Sequence, residues 1–125
     1  MSVQWKEHQG KTYLSVDYRG CATQQDMIDT FEHQVTEMRA VSAAGGKSLV
    51  LSNFEGTKIG PDLMSRIKEV GKERGQQSLE KNAILGVTGV KGILLKGIIA
   101  YTGLRNIKPF DHEPEALDWL VASTE

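Results

Sequence analysis

The hydrophobic pattern of residues 82–110 predicts the centre of the fold. The apolar run Ala83–Val87 is too short for a helix and suits a buried strand. Beyond it, apolar residues recur at helical spacing between Gly92 and Thr102, and Gly103 stands where a helix C-cap belongs. Ile107–Phe110 is a second strand candidate. Strand, helix and strand in close succession predict a βαβ unit, whose two strands are parallel.

The first residues of the chain predict a β-hairpin. Apolar and polar residues alternate over Val3–His8 and over Thr12–Arg19, and Gln9-Gly10 supplies the turn between these strands. One side of the second strand carries three apolar residues, which are Leu14, Val16 and Tyr18. We expect that side alone to be buried. The opposite side carries Tyr13, Ser15 and Asp17.

Capping signals predict the next elements. Thr23 followed by Asp26 starts a helix that ends near Ala40, because a Thr N-cap and an acid in the first turn stabilise a helix start. Ser48–Leu51 is apolar without alternation, which is typical of a central strand. After a loop, a further helix starts at Pro61, since proline suits the first helical position.

A final helix follows residue 110, capped by Asp111 or Glu113 and with Pro114 in its first turn. The complete order is therefore ββαβαβαβα, with five strands and four helices. Short strands that alternate with helices predict an α/β layered fold. We expect residues 1–125 to form one domain around a mixed, mostly parallel sheet.

Composition limits the class of protein. The chain has 125 residues, enough for one core without metals or disulfides. A net charge of −1 gives no basic field to attract nucleic acid. Cys21 is the single cysteine, which favours a reducing compartment. The first residues lack a signal-peptide core and no apolar run is long enough to span a bilayer, so we expect a cytoplasmic protein without a transmembrane segment.

Two stretches of the sequence carry a family resemblance. They are Ala-Ile-Leu-Gly-Val-Thr-Gly-Val-Lys-Gly at 83–92 and Glu-Ala-Leu-Asp-Trp-Leu at 115–120. Together with the element order, they resemble the STAS-like proteins, named after the sporulation anti-sigma-factor antagonist. The resemblance implies a mixed five-stranded sheet with helices packed against it, often in a dimer. The wider group includes phospho-regulated switch partners, transporter-attached modules and, more distantly, lipid-binding Sec14-type domains.

The resemblance also implies a phosphorylation site. The family's phosphorylated Ser or Thr lies in an Asp-Ser-Ser-Gly-type loop between a central strand and the next helix. Here the loop reads Asn53-Phe-Glu-Gly-Thr57, which lacks that motif, and Thr57 or Ser52 holds the equivalent place. A phosphate on Thr57 would meet the free N–H groups of the Pro61 helix and the Lys58 ammonium. Alternatively, the Thr57 hydroxyl bonds its own backbone.

Basic residues and an apolar helix indicate candidate binding surfaces. Five bases and no acid lie between Glu80 and Asp111, namely Lys81, Lys91, Lys96, Arg105 and Lys108. Two of them, Lys91 and Lys96, are candidates for binding an anion. The helix over 92–102 is apolar almost all round, so three of its residues are candidates for an interface or a ligand wall, namely Leu95, Ile99 and Tyr101. The alternatives are a solvated basic face and a deeply buried helix.

No pattern in the sequence specifies a reaction. Gly86, Gly89 and Gly92 fit neither nucleotide fingerprint and suit a tight strand-to-helix turn with close packing. The three histidines have no metal-ligand spacing, and no nucleophile is paired with a base. We therefore expect no enzyme activity, no metal and no cofactor.

Two hypotheses of function remain. The first is a non-enzymatic regulatory or protein-interaction module of the STAS-like type, with an unidentified protein partner or a homodimer, contacting through Gly56–Pro61 and Gly92–Thr102. The second is a binding or carrier protein for a small amphipathic or lipid-like anionic ligand. An apolar cavity beside the last βαβ unit would favour the ligand hypothesis. A filled core with an exposed apolar patch would favour the interaction hypothesis.

Overall fold

The computed structural model describes residues 2–72, 79–87, 89, 92–93, 95–97 and 106–122. These residues form a single α/β domain around a five-stranded mixed sheet. The elements are β1 Val3–His8, β2 Lys11–Asp17, α1 Gln24–Ala43, β3 Ser48–Asn53, α2 Pro61–Gly71, β4 Leu79–Leu85, α3 (described at 92–93 and 95–97), β5 Ile107–Phe110 and α4 Glu113–Val121. The predicted fold class and element order are confirmed.

The strands lie in the sheet in chain order, β1-β2-β3-β4-β5. β1 and β2 form an antiparallel hairpin, and every other neighbouring pair is parallel. The pairing of β4 with β5 runs from Asn82↔Ile107 to Leu85↔Phe110, which confirms the predicted βαβ unit. Parallel neighbours need a crossover connection, and these crossovers contain α1, α2 and α3.

Two buried layers lie on opposite faces of the sheet. The three-helix face packs residues of α1, α2 and α3 against the sheet, and the α4 face packs α4 against the other side. The predicted inward residues of β2 are fully buried on the three-helix face, and they are Leu14, Val16 and Tyr18. Tyr13 corrects the expectation of one buried side, because it is buried on the α4 face.

Polar residues extend two strands beyond their predicted ends. β3 continues through Ser52 to Asn53, and β4 begins at Leu79 rather than at Ala83. The buried Ser52 Oγ donates to Oδ1 of Asn82 at 3.1 Å. A buried polar group is tolerated when it is hydrogen-bonded, so this cross-strand pair lets both strands continue.

The first and last helices, α1 and α4, differ in how their N-termini are capped. At α1 the backbone N–H of Asp26 donates to Thr23 Oγ1 at 3.0 Å, and the N–H of Thr23 donates to Asp26 Oδ2 at 3.2 Å. This is the predicted capping box. At α4 the N-cap is His112, so the prediction of Asp111 or Glu113 was wrong. Glu113 instead lies inside the first turn, where an acid favours the helix dipole.

Gly86 sets how closely the end of β4 approaches the end of β3. Its φ is +80°, and a Cβ there would collide with the backbone of Phe54 and Glu55. The N–H of Phe54 donates to the carbonyl of Leu85 at 2.9 Å. The predicted close-packed turn is confirmed at Gly86, and it fixes Phe54 in the core of the three-helix face.

Candidate functional site

A cavity of about 60 Å³ lies between the sheet and the helices of the three-helix face. It borders the β4–α3–β5 unit that the hydrophobic pattern singled out. Apolar side chains form most of its lining, and they are Phe31, Phe54, Ile59, Ile67, Ile84, Val87, Leu95 and Ile107. Four polar side chains complete it, and they are Tyr18, Gln34, Ser52 and Asn82.

Aromatic stacking fixes one wall of the cavity. The rings of Tyr18 and Phe54 are parallel to within 11°, with their centroids 4.1 Å apart. Tyr18 follows β2 and Phe54 follows β3, so the paired strands bring these rings together. Stacked aromatic pairs add stability beyond their buried area, so this contact helps to hold the wall in place.

The polar groups of the cavity form two pairs. Ser52 donates to Oδ1 of Asn82, and the Tyr18 hydroxyl donates to Oε1 of Gln34 at 3.3 Å. Nε2 of Gln34 donates to the sulfur of Met38 at 3.5 Å. Among the described residues, no acceptor lies within hydrogen-bonding distance of Asn82 Nδ2. Both amide oxygens are therefore used, while the amide nitrogens keep unused or weakly used donors.

The cavity is electrically neutral over its described lining. None of the described side chains that line it carries a formal charge. Burial, with a smaller contribution from the Cys21 thiol, raises the pKa of Tyr18 far above its ordinary value of 10.0. The Tyr18 phenol is therefore uncharged at physiological pH and remains a hydroxyl that can donate or accept.

An ion pair joins α1 to α2 beside the cavity. Nη2 of Arg66 donates to Oε1 of Glu32 at 3.0 Å, and Nε of Arg66 donates to the other carboxylate oxygen. The hydrogen bond from Arg66 lowers the pKa of Glu32. Both residues are direct chain neighbours of cavity-lining residues, Phe31 and Ile67. The pair therefore resists separation of the two helices next to the cavity.

The candidate ligand-wall residues are only partly described. Leu95 is 7% exposed and lines the cavity, the position that a ligand wall requires. Lys96 is exposed and does not belong to the described lining. Lys91, Ile99 and Tyr101 lie outside the described residues. The structure thus brings Leu95, and neither candidate lysine, into the described lining.

The loop that carries Thr57 is tied down by hydrogen bonds. The Thr57 hydroxyl donates to the carbonyl of Phe54 at 2.6 Å. Gln24 clamps the next residues, because its Nε2 donates to the Lys58 carbonyl at 2.8 Å and its Oε1 accepts from the Gly60 N–H at 2.9 Å. The hydroxyl thus bonds its own loop, as one alternative anticipated, and phosphorylation of Thr57 stays a prediction.

Lys81 does not belong to a basic surface. It is 7% exposed, and its Nζ donates to the carbonyls of Trp119 at 2.7 Å and Ala122 at 2.9 Å. These carbonyls lie at the end of α4, so the ammonium acts as a C-terminal cap. Of the five bases between Glu80 and Asp111, Lys81 therefore has a structural role.

Among the polar residues of the cavity, sequence reasoning predicted that Tyr18 points inward but did not predict that Gln34, Ser52 and Asn82 line it. Gln34 had a local signal, because it interrupts the apolar stripe that runs from Phe31 to Met38 on α1. Ser52 and Asn82 had none, since their meeting depends on the register between β3 and β4. A polar residue on an apolar helix face is the one pattern that would have pointed here.

Comparisons of the chain with protein-family models, with curated proteins and with solved structures found no match. The STAS-like resemblance is therefore an interpretation of motifs and fold.

No group of three or more His, Cys, Asp and Glu side chains in the described part of the chain is arranged to hold a metal ion. No helix within the described ranges has the length and apolar character needed to cross a membrane.

Proposed function

We propose that this chain is a binding protein for a small, largely apolar ligand, held in the cavity of the three-helix face. The observation that supports this proposal is a neutral, mostly apolar cavity with a few polar groups beside the β4–α3–β5 unit. Ligand sites commonly combine an apolar lining with a few placed polar groups. We further propose that the chain is a non-enzymatic domain of the STAS-like type, which is supported by its element order and by the motifs at 83–92 and 115–120.

The size of the cavity limits the ligand. Its volume is about 60 Å³. Sites for drug-sized ligands are several times larger, at roughly 300–1,000 Å³. The cavity therefore accepts a molecule of few heavy atoms, or one end of a longer one. We propose that a longer ligand enters between α1 and α2, which the Glu32–Arg66 pair holds together.

An anionic group of an amphipathic ligand would stay outside the cavity. A buried carboxylate or phosphate needs a counter-charge, and the described lining offers none. Lys96 is exposed on α3 next to Leu95, which lines the cavity. We therefore propose Lys96 as a surface contact for such a headgroup, with the apolar part of the ligand inside.

Xenon under pressure is the probe that tests this proposal, because it binds small apolar cavities. We expect xenon to shift the methyl NMR signals of Ile84 and Ile107, which line the cavity, and to leave Leu51 on the α4 face unchanged. Val87→Leu should fill the cavity and abolish the shifts. Val35→Leu is the matched control, since Val35 is buried on the same face outside the cavity lining.

The outcome that contradicts the proposal is an absence of xenon-dependent shifts at Ile84 and Ile107 in the folded wild-type chain. Equal loss of binding in both valine variants would also contradict it, because Val35→Leu leaves the cavity lining intact. Xenon binding that only Val87→Leu abolishes would support a site in this cavity.

We also propose a second function, a homodimeric interaction module, on a separate observation. Ile93 on α3 is 71% exposed, so its apolar side chain is accessible to a second copy of the chain. A second copy of the chain that covers Ile93 would bury this side chain. Ile93→Glu should then convert a dimer into a monomer, as measured by light scattering after size-exclusion chromatography. Lys11→Glu is the control, since Lys11 is exposed on β2, which β3 separates from the β4–α3–β5 unit. A monomeric wild-type chain would contradict the dimer.

A further inference from the structure

We infer that Asn82 and Ser52 dock a neutral oxygen of the ligand, such as a hydroxyl or a carbonyl oxygen. This inference rests on the proposed function, because it names the chemical class that the same cavity selects. Alcohols, amides and esters fit this class. Ionised acids and amines do not.

Asn82 carries a donor that lacks an acceptor among the described residues. The residue is 8% exposed and lines the cavity. Oδ1 accepts from Ser52, which orients the amide so that Nδ2 is the free end. Nδ2 has two N–H groups, and no described residue accepts from it within hydrogen-bonding distance. A ligand oxygen at this point would satisfy a donor that the described part of the chain leaves unpaired.

The second polar pair, Tyr18 and Gln34, is arranged like the first, with an amide oxygen that accepts from a hydroxyl group. Gln34 is 5% exposed, and its Oε1 accepts from the Tyr18 hydroxyl. The acceptor of its Nε2 within the described residues is the Met38 sulfur, which is a weak acceptor. Both amides therefore use their oxygens on hydroxyl donors and retain nitrogen donors. An acceptor atom of the ligand matches such a cavity better than a pure donor.

The lack of charge in the lining excludes ionised ligands from the same position. A carboxylate would gain the hydrogen bond from Asn82 but would lose its hydration without a cationic partner among the described lining residues. An ammonium group would likewise lose its hydration, and no anionic partner lies among the described lining residues. A neutral hydroxyl gains most, because it accepts from Asn82 Nδ2 and donates to a lone pair of Ser52 Oγ.

The test compares three probes of similar size at pH 7, namely 1-propanol, propionamide and sodium propionate, with xenon as the apolar reference. Binding is followed by the methyl NMR signals of Ile84 and Ile107. We expect propanol and propionamide to bind, and propionate to bind at least about tenfold more weakly, a ratio that corresponds to roughly 1.4 kcal/mol.

Two variants remove the docking groups. Asn82→Ala should weaken propionamide binding by at least about fivefold, a loss in the range expected for one buried hydrogen bond. The same variant enlarges the cavity, so xenon should bind as well as before or better. Ser52→Ala provides a second, smaller deletion in case Asn82→Ala does not fold. Ser48→Ala is the matched control, because Ser48 is a buried β3 serine outside the cavity lining.

The outcomes separate the two proposals. If xenon binds but Asn82→Ala and Ser52→Ala leave propanol and propionamide unchanged, the docking inference is overturned and the apolar site stands. If propionate binds as tightly as propionamide, the inference is overturned as well. If neither xenon nor propanol reaches the wild-type cavity, the proposed function itself fails. The inference is supported if the variants weaken the binding of propanol and propionamide while xenon still binds.

Discussion

The two faces of the sheet are packed differently, although they share the same strands. The α4 face is covered by one helix of nine residues, with Ala116 and Leu120 fully buried against the sheet. The three-helix face is covered by longer elements and encloses the cavity of about 60 Å³. Protein interiors are normally packed without such space. The more extensively covered face is therefore the less completely filled one.

Two consecutive residues of β4 show the contrast most directly. Lys81 and Asn82 point to opposite faces, as neighbours in a strand must. Lys81 has two carbonyl acceptors and lies over the Trp119 ring at 5.1 Å from its centroid. Asn82 retains a donor without an acceptor among the described residues. The ammonium on the α4 face stabilises the fold, whereas the amide on the three-helix face keeps a donor that our proposal assigns to a ligand.

A large loss of stability is expected from a change at the close approach between the ends of β3 and β4. Gly86→Ala would place a Cβ against the backbone of Phe54 and Glu55 at a positive φ. Strain of roughly 1–2 kcal/mol from the left-handed backbone adds to an overpacking cost of roughly 1–3 kcal/mol. We expect the free energy of unfolding, measured by urea denaturation, to fall by about 3 kcal/mol or more.

Gly89→Ala is the control for the Gly86 variant. Gly89 also has a positive φ, but a Cβ there meets nothing within 4 Å. Its cost should be that of the backbone strain alone, roughly 1–2 kcal/mol. Equal losses in the two variants would mean that close packing at Gly86 contributes nothing.

Truncating one leucine on each face measures the difference in packing. Leu120 is fully buried on the α4 face, and Leu95 borders the cavity. Leucine-to-alanine changes cost roughly 2–5 kcal/mol, depending on how far the surrounding side chains close the space that is created. We expect about 4 kcal/mol for Leu120→Ala and about 2 kcal/mol for Leu95→Ala, because Leu95 already borders empty space. Thermal and urea unfolding give both values, and a greater loss for Leu95→Ala would contradict the contrast.

Removal of the Lys81 ammonium should lower the free energy of unfolding by more than the loss of an exposed charge would. Lys81→Met keeps the apolar stem but leaves the carbonyls of Trp119 and Ala122 without this donor. Hydrogen bonds from charged groups contribute roughly 1.5–3 kcal/mol, so we expect a loss of about 2 kcal/mol. Hydrogen exchange should quicken in α4 first. Lys108→Met is the control, since the Lys108 ammonium also lies over a ring, that of Phe110, but on an exposed residue. A loss at Lys108 as large as at Lys81 would contradict the capping role.

The elements of this fold could be predicted because their signals are local. The alternation in β2 and the Thr23 capping box lie within short stretches of sequence. The first half of β4, which includes Lys81 and Asn82, was missed because these two residues are polar. Their partners come from the end of α4 and from β3, far away along the chain. Burial of such residues can be inferred only when the tertiary partners are known.

The cavity was beyond prediction for a related reason. Leu95 could be singled out as a wall residue, because the excess of apolar residues in its helix is visible in the sequence. The position of Gln34 opposite Tyr18 depends on how α1 lies across the sheet. A cavity leaves no local pattern in a sequence, because it depends on which side chains from distant elements fail to contact one another.

The smallest expected effect concerns the Glu32–Arg66 pair, which joins the helices beside the cavity. Hydrogen bonding to Arg66 lowers the pKa of Glu32 below its ordinary value of 4.5. A carboxyl with a lowered folded-state pKa stabilises the fold above its unfolded pKa, and this contribution is lost as the pH falls through the folded value. Because Glu32 is 41% exposed, solvent screening limits the contribution to roughly 0.5–1 kcal/mol. Glu32→Gln should therefore lower the free energy of unfolding by that amount at pH 7. The gap to wild type should close below pH 4.5.

Glu69→Gln separates this pair from a general charge effect. Glu69 also accepts from Arg66, at 3.1 Å, but it lies on the same helix as Arg66 and is 66% exposed. Its removal should change stability by less than about 0.5 kcal/mol, as is usual for exposed pairs within one helix. Glu32→Gln should in addition speed the entry of 1-propanol into the cavity, since Glu32 links α1 to Arg66 on α2 and Glu69 does not. An unchanged association rate in Glu32→Gln, with the stability loss present, would show that the ligand enters elsewhere than between α1 and α2.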